Sequence, residues 1–185
     1  MDFKFFNTNK LKIINIGRLV DQKDQLTFLK SLILIKKKID FRALIIGSGE
    51  KKYELVKFIK KKKLKNNVRI INFKSNPYGY LKKSDLMIHT AIYEGLPNVL
   101  LEALALKKYT ISTDCPTGPS EILSNGKGGG LVKVHDYRGI AKKVLEFSNN
   151  KKNKKKINYA SKTLKRFEYN KNLDKYLRLV NNFIN

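Results

Sequence analysis

Short runs of β-branched and aliphatic residues recur along the chain, separated by longer amphipathic stretches, and two of the runs stop at glycine. The first, Lys12-Ile13-Ile14-Asn15-Ile16, ends at Gly17 and predicts a strand; the stretch from about Lys23 to Lys38 predicts the helix after it. Arg42-Ala43-Leu44-Ile45-Ile46 reads as a second strand, ended by Gly47, before a lysine-rich helix from about Glu50 to Lys63. A strand at Val68-Arg69-Ile70-Ile71-Asn72 and a short helix from Tyr78 to Lys83 follow. Next come a strand at Asp85-Leu86-Met87-Ile88-His89, a helix from Pro97 to Leu106 and a strand at Tyr109-Thr110-Ile111-Ser112. A turn with Pro116, Gly118 and Pro119 leads to a brief strand near Leu131-Val132-Lys133. Strands alternating with helices imply right-handed crossovers, a parallel sheet and a ligand site at the carboxyl ends of the strands.

The pattern changes after Asp136. From there the chain reads as helices only, with an apolar stripe through Phe167, Tyr169, Leu173, Tyr176, Leu177, Leu179, Val180 and Phe183. Two placements fit the stripe. It packs on the chain's own sheet, or the last helix crosses to a neighbouring domain absent from this chain.

The stretch richest in chemistry is Tyr93-Glu94-Gly95-Leu96-Pro97-Asn98-Val99-Leu100-Leu101-Glu102-Ala103. It sets Glu94 on a Gly/Pro loop and opens a helix that carries Glu102 about a turn inside. Pro97 has no amide hydrogen and a fixed φ, so it is expected at the first helical position, with the amides of Asn98, Val99 and Leu100 facing outward. Such a helix end attracts phosphate. Ionised carboxylates only accept hydrogen bonds, so Glu94 and Glu102 suit hydroxyl-rich groups on either side of a diphosphate. A nucleotide sugar has that layout. Elsewhere, Gly17-Arg18-Leu19-Val20-Asp21-Gln22-Lys23 puts two cations five residues apart at a strand-to-helix turn; alone, either is an ordinary surface charge. Gly47-Ser48-Gly49-Glu50 is a turn that lets backbone approach a ligand, and equally an ordinary strand-to-helix turn.

Taken in order, these segments and Asp114-Cys115-Pro116-Thr117-Gly118-Pro119-Ser120-Glu121-Ile122-Leu123 resemble the nucleotide-binding half of family 4 glycosyltransferases, the GT-B "glycosyl transferases group 1". The resemblance covers roughly Lys12 to Ser148. It implies that Arg18 and Lys23 hold the diphosphate and offset negative charge as the sugar departs, that Glu94 binds donor-sugar hydroxyls and that Glu102 binds the ribose. Gly17, Gly47, Gly49, Phe73, Lys74, Gly95, Leu96, Pro97, Asn98, Val99 and Leu100 complete the donor-binding set it implies. Relatives retain anomeric configuration and use protein cations where other sites use Mg²⁺. The chain agrees in having no Asp-x-Asp and only two histidines, His89 and His135, without metal-ligand spacing. His89 ends a predicted strand near Glu94; a packed histidine is favoured over one touching substrate. The loop Asn72-Phe73-Lys74-Ser75-Asn76 departs from relatives with a glycine near Lys74 beside the base. The turn from Cys115 to Glu121 resembles relatives that build cell-surface polysaccharides or glycolipids from UDP-hexoses or UDP-N-acetylhexosamines. Ser120 and Glu121 read equally as caps of the helix at Glu121-Ile122-Leu123 and as ligand contacts.

The expected fold class is therefore α/β, a Rossmann-like parallel sheet flanked by helices as in the C-terminal half of a GT-B fold, with an all-helical C-terminal segment. Residues 1–10 are expected as a linker remnant, 11–150 as the donor-binding domain and 151–185 as C-terminal helices directed at a missing N-terminal domain. That start implies a fragment, a separate donor domain or a split enzyme, inactive or weakly active as an isolated domain. The partners implied are the nucleotide-sugar donor, which is a substrate and not a cofactor, and a glycan or lipid-linked acceptor held by the missing domain.

Charge adds one alternative. The 185 residues hold 40 Lys+Arg against 15 Asp+Glu, a net charge of +25, with runs at Lys36-Lys37-Lys38, Lys60-Lys61-Lys62-Lys63 and within Lys151-Lys152-Asn153-Lys154-Lys155-Lys156. Abundant Lys, Asn and Ile all have A/T-rich codons, and genome composition is favoured as the cause over a selected anionic partner. The rival reading is a basic binding module for nucleic acid or anionic membrane without catalysis. Lysines spread over separate helices without interleaved aromatics argue against a specific nucleic-acid partner. A glycosidase using Glu94 and Glu102 leaves Arg18 and Lys23 without a purpose. Cys115, the single cysteine, fits a reducing cytosol and reads as an apolar filler; with no signal-peptide core and no spanning apolar run, the expected location is cytoplasmic, with membrane contact peripheral at the inner face.

Overall fold

Six parallel strands form one sheet, in the spatial order third, second, first, fourth, fifth, sixth. The structure, a computed structural model, describes residues 2–149 and 153–184. Its elements are β1 (Leu11–Ile16), α1 (Gln25–Lys36), β2 (Phe41–Ile46), α2 (Lys52–Lys61), β3 (Val68–Ile71), α3 (Tyr78–Lys83) and β4 (Leu86–His89). They continue as α4 (Asn98–Ala105), β5 (Tyr109–Thr113), α5 (Pro119–Ile122), β6 (Gly130–Val132), α6 (Tyr137–Asn149), α7 (Asn153–Thr163) and α8 (Tyr169–Ile184). This is the expected α/β, Rossmann-like arrangement of a parallel sheet between helices.

The strands read as near-continuous apolar runs because both faces of the sheet are covered. Along β1, Ile13 packs into the cluster shared with α1, α2 and α6, while the next residue, Ile14, packs into the cluster shared with α3, α4, α5 and α7. Their partners in β2, Ala43 and Leu44, alternate in the same way, and all four side chains are fully buried. Each such aliphatic side chain of Leu or Ile size contributes about 1.5–3 kcal/mol relative to exposure.

The strand order reverses between β1 and β4, which opens a crevice outside their carboxyl ends. These two strands pair only at Ile13 with Leu86 and Ile14 with Met87. Beyond that point the buried Asn15 donates its Nδ2 to the carbonyl of Ile88 at 2.8 Å. A side chain thus ties the strands together where the ladder ends.

Several boundaries differ from the sequence-based expectation. The helix expected from Lys23 begins at Gln25, because Asp21–Lys23 makes a single 3-10 turn and Asp24 takes a left-handed φ of 40°. Asp24 Oδ1 accepts from the Thr27 amide at 3.0 Å, so Asp24 is the N-cap and Lys23 belongs to the loop. Ser120 does not cap α5, which opens on Gly118 and Pro119; its hydroxyl donates to Asn125 Oδ1 at 2.7 Å. Within residues 1–10, Asp2–Phe6 coils into a 3-10 turn, and Phe6 is buried against the layer of α3 and α4.

The apolar stripe divides. Phe167 is half-buried on the core, whereas Tyr169, Leu173, Tyr176, Leu177 and Leu179 of α8 are exposed, Tyr169 by 75%. Packing of the whole stripe on the chain's own sheet is therefore not what the structure adopts. The side chain of Phe183, and Lys151 and Lys152 of the last lysine run, lie outside the described residues. Among the described residues, no helix is long and apolar enough to cross a membrane.

Candidate active site

A cleft of about 1030 Å³ opens at the carboxyl edge of the sheet, where the strand order reverses. The loop after β1 gives it Gly17, Arg18 and Lys23; the loop after β2 gives Gly47 and Ser48. Phe73 and Lys74 come from the loop after β3, and Glu94, Leu96, Pro97, Asn98, Val99 and Glu102 from the segment leading into α4. Residues scattered over the sequence thus share one cavity.

Hydrogen bonds between loops hold the first segment in place. Gly17 donates its amide to the Ile46 carbonyl at 3.0 Å, and Leu19 donates to the Ser48 carbonyl at 2.9 Å. This close approach explains both glycines of the Gly-Ser-Gly turn. A Cβ on Gly47 would stand 1.9 Å from the Gly17 oxygen, and one on Gly49 would stand 2.4 Å from the Leu19 oxygen. Gly49 therefore supports the cleft from behind and is not in its lining. On the other side, Gln22 Nε2 donates to the Tyr93 carbonyl at 2.9 Å, the Ile92 amide donates to the Gln22 carbonyl at 2.8 Å, and Thr90 Oγ1 donates to the Lys23 carbonyl at 2.8 Å. These bonds bring Lys23 to Glu94. Arg18 stays exposed, with Nη2 donating to Gln22 Oε1 at 3.2 Å.

Glu94 is nearly buried and receives two donors on one oxygen. Lys23 Nζ pairs with Oε1, and His89 Nε2 lies 2.9 Å from the same atom. Burial pushes the carboxyl pKa up, but the hydrogen bonds from His89 and Lys23, with the charge of Lys23, hold it below the ordinary range. The Glu94 carbonyl accepts from Thr117 Oγ1. Beside it Gly118 takes φ of 83°, and a Cβ there would meet the Gly95 oxygen at 2.3 Å. The turn before α5 thus clamps the Glu94 loop. Gly95 itself is outside the lining, and a Cβ on it would meet nothing within 4 Å.

The opening of α4 departs from expectation by one residue. Pro97 has ψ of 94° and is the residue before the helix, which starts at Asn98. The Leu100 amide donates back to the Pro97 carbonyl at 2.9 Å and its side chain is fully buried, so Leu100 is neither a free donor nor a lining residue. The open amides belong to Asn98 and Val99, at the positive end of the helix dipole. One turn in, Glu102 Oε1 accepts from Tyr78 Oη at 3.4 Å, and Ser48 Oγ accepts from the Phe73 amide at 3.1 Å.

Sequence reasoning does not single out Tyr78, Ser48 or Thr117 as parts of the site. Tyr78 follows the loop after β3 directly, and that position is the signal by which it is findable. Among the described residues, no three His, Cys, Asp or Glu side chains gather as metal ligands. Cys115 is buried; burial, and then the charge of Glu94, push its thiol pKa up, which opposes a nucleophilic role.

Residues 1–164 match the family model of the glycosyl transferases group 1. The chain belongs to that family. Among group 1 relatives, an uncharacterized glycosyltransferase of Methanocaldococcus jannaschii is 43% identical over 111 residues, 60% of this chain and 27% of that protein. The N-acetylgalactosamine-N,N'-diacetylbacillosaminyl-diphospho-undecaprenol 4-alpha-N-acetylgalactosaminyltransferase of Campylobacter jejuni is 28% identical over 169 residues, 89% of this chain and 46% of that enzyme. A crystal structure of a Staphylococcus aureus TarM mutant, solved in complex with Fondaparinux, alpha-GlcNAc-glycerol and UDP, superposes with a TM-score of 0.85 at 26% identity, over 92% of this chain and 35% of that one. The chain thus spans about a quarter to a half of the length of these relatives. Its Rossmann-like parallel sheet is of the kind found in GT-B glycosyltransferases.

Proposed function

We propose that this chain is the donor-binding half of a retaining, metal-independent family 4 glycosyltransferase that takes a UDP-hexose or UDP-N-acetylhexosamine. One observation carries the reading: Arg18, Lys23, Glu94, the open end of α4 and Glu102 all face a single cleft. Their order suits a donor laid along it. Phe73, Lys74 and Tyr78 stand on the base side, Glu102 meets the ribose hydroxyls, and the Asn98 and Val99 amides meet the diphosphate with Arg18 and Lys23. Glu94 then takes the sugar hydroxyls. As the bond from the sugar's anomeric carbon to the diphosphate breaks, negative charge grows on the leaving group, and the two cations with the helix end stabilise it. The Lys23 ammonium rests on Glu94. A bound diphosphate offers it a stronger anion.

The acceptor, a cell-surface polysaccharide or glycolipid, is assigned to a preceding domain, and the exposed face of α8 supports a contact with such a domain. The isolated chain then binds donor but transfers sugar weakly or not at all. The proposed location is cytoplasmic, with peripheral contact to the anionic inner leaflet. Two lysine runs converge in support of that contact, since Lys36 Nζ donates to the Lys63 carbonyl at 2.7 Å and so joins the ends of α1 and α2.

Calorimetry with UDP, GDP and their sugars tests the donor reading. Binding of a UDP species by the wild type and its loss in Arg18→Ala and Glu102→Ala are expected. Failure of the wild type to bind any of them, or unchanged binding in both variants, would overturn it.

A further inference from the structure

His89 does not line the cleft, yet it touches the residue assigned to the donor sugar. The ring is 3% exposed, at the end of β4, wedged between two neighbours. On one side Nδ1 lies 3.0 Å from Ser112 Oγ of β5. On the other, Nε2 lies 2.9 Å from Glu94 Oε1. An ionised carboxylate only accepts, so the hydrogen of that contact sits on Nε2. Ser112 Oγ also lies 2.9 Å from the Thr113 carbonyl, and its single hydrogen serves either that carbonyl or His89 Nδ1.

Both donors to Glu94 converge on Oε1; Oε2 makes no hydrogen bond among the described residues. One oxygen anchors the group and the other remains for a ligand hydroxyl. The two anchors differ in kind. Lys23 has a flexible stem and a charge that a diphosphate attracts, whereas the His89 ring is packed in the sheet and has no path to a phosphate.

We propose that His89 is a positioning residue for Glu94: seated on Ser112, it holds Oε1 and keeps Oε2 aimed at the donor sugar when Lys23 turns to the diphosphate. The proposal rests on the donor-site reading and adds a role that neither the Glu-x7-Glu spacing nor the cleft lining assigns. Its consequence is selective. Loss of His89 disturbs recognition of the sugar and leaves recognition of the nucleoside diphosphate in place.

The test is calorimetry on the 185-residue chain with UDP, UDP-glucose and UDP-N-acetylglucosamine, read as the ratio of Kd for the tighter-binding sugar nucleotide to Kd for UDP. In His89→Ala that ratio is expected to rise about tenfold, the loss of roughly one charge-assisted hydrogen bond, while Kd for UDP moves less than about threefold. UDP binding also reports that the variant is folded. His89→Gln, whose amide keeps a donor, is expected to recover most of the ratio. An unchanged ratio in His89→Ala, or equal weakening for UDP and UDP-sugar in both variants, would overturn the positioning role. If Glu94→Ala raises the ratio and His89→Ala does not, the donor-site reading stands and the inference about His89 alone fails. A wild-type chain that binds no UDP species overturns both.

Discussion

Replacing Gly47 by alanine separates a glycine needed for close backbone approach from one that is merely permitted. The added Cβ would lie 1.9 Å from the Gly17 oxygen and 3.0 Å from its carbon, so the loops after β1 and β2 must part by about 1 Å or more to reach ordinary contact. That parting strains the bonds from Gly17 to Ile46 and from Leu19 to Ser48, which join the same two loops. Overpacking of this kind costs about 1–3 kcal/mol. For a chain of this length each kcal/mol lowers Tm by roughly 2–4 °C, so a fall of about 2–12 °C is expected. Urea unfolding at neutral pH measures the free energy and a thermal scan the midpoint. Gly95→Ala is the control: its Cβ meets nothing within 4 Å, and a change under about 0.5 kcal/mol is expected. On the proposed donor reading, Gly47→Ala is also expected to weaken UDP binding, because the displaced loop carries Arg18, whereas Gly95→Ala does not shift that loop. Equal stability of the two variants would refute the close-approach reasoning.

Glu94 has a folded pKa below the ordinary range against an unfolded value of about 4.3, so its contribution is fully present above that value and is lost as pH falls through the folded one. The stability gap between wild type and Glu94→Gln, from urea unfolding, should shrink as pH falls below about 4; a gap that does not change there contradicts the pairing with His89 and Lys23. Cys115, buried and with its thiol pKa raised, should react with a disulfide reagent at about pH 8 roughly tenfold or more slower in the native chain than in urea, and equal rates would place it in solvent. On α8, Tyr176→Ser with Leu177→Ser should change stability of the chain by less than about 1 kcal/mol, whereas Leu104→Ala in the core should cost about 2–5 kcal/mol. A large loss from the α8 pair would mean that its apolar face is already packed.

What is legible in the sequence is whatever local pattern controls. Apolar runs closed by glycine mark β1 and β2, and the Glu94 to Glu102 segment points to a helix with an open end. Errors arise where a single backbone angle, a capping residue or a contact from a distant segment decides. Lys23 reads as part of α1 because its neighbours continue the helical period, but Asp24 in the left-handed region caps the helix at Gln25. Pro97 reads as a first helical residue, yet its ψ of 94° keeps it outside, and Leu100 is consumed by the bond to its carbonyl. Gly49 reads as a ligand contact when its work is to pass beneath Leu19. His89 reads as a packed histidine and is one, but only the fold shows that it is packed between Ser112 and Glu94. The stripe on α8 carries a clear period and no statement of what covers it. Periodicity gives the face of a helix, and tertiary contact gives its partner.

If one cleft binds a nucleoside diphosphate sugar in a fixed direction, a ladder of uridine, UMP and UDP reads out that order piece by piece. Calorimetry across the ladder should show affinity rising with each phosphate. Arg18→Ala and Lys23→Ala should each reduce the gain from the diphosphate by about tenfold or more and leave uridine nearly unchanged, while Glu102→Ala weakens all three ligands alike. Equal affinity of the wild type for uridine and UDP, or a diphosphate gain that survives loss of both cations, would contradict the account.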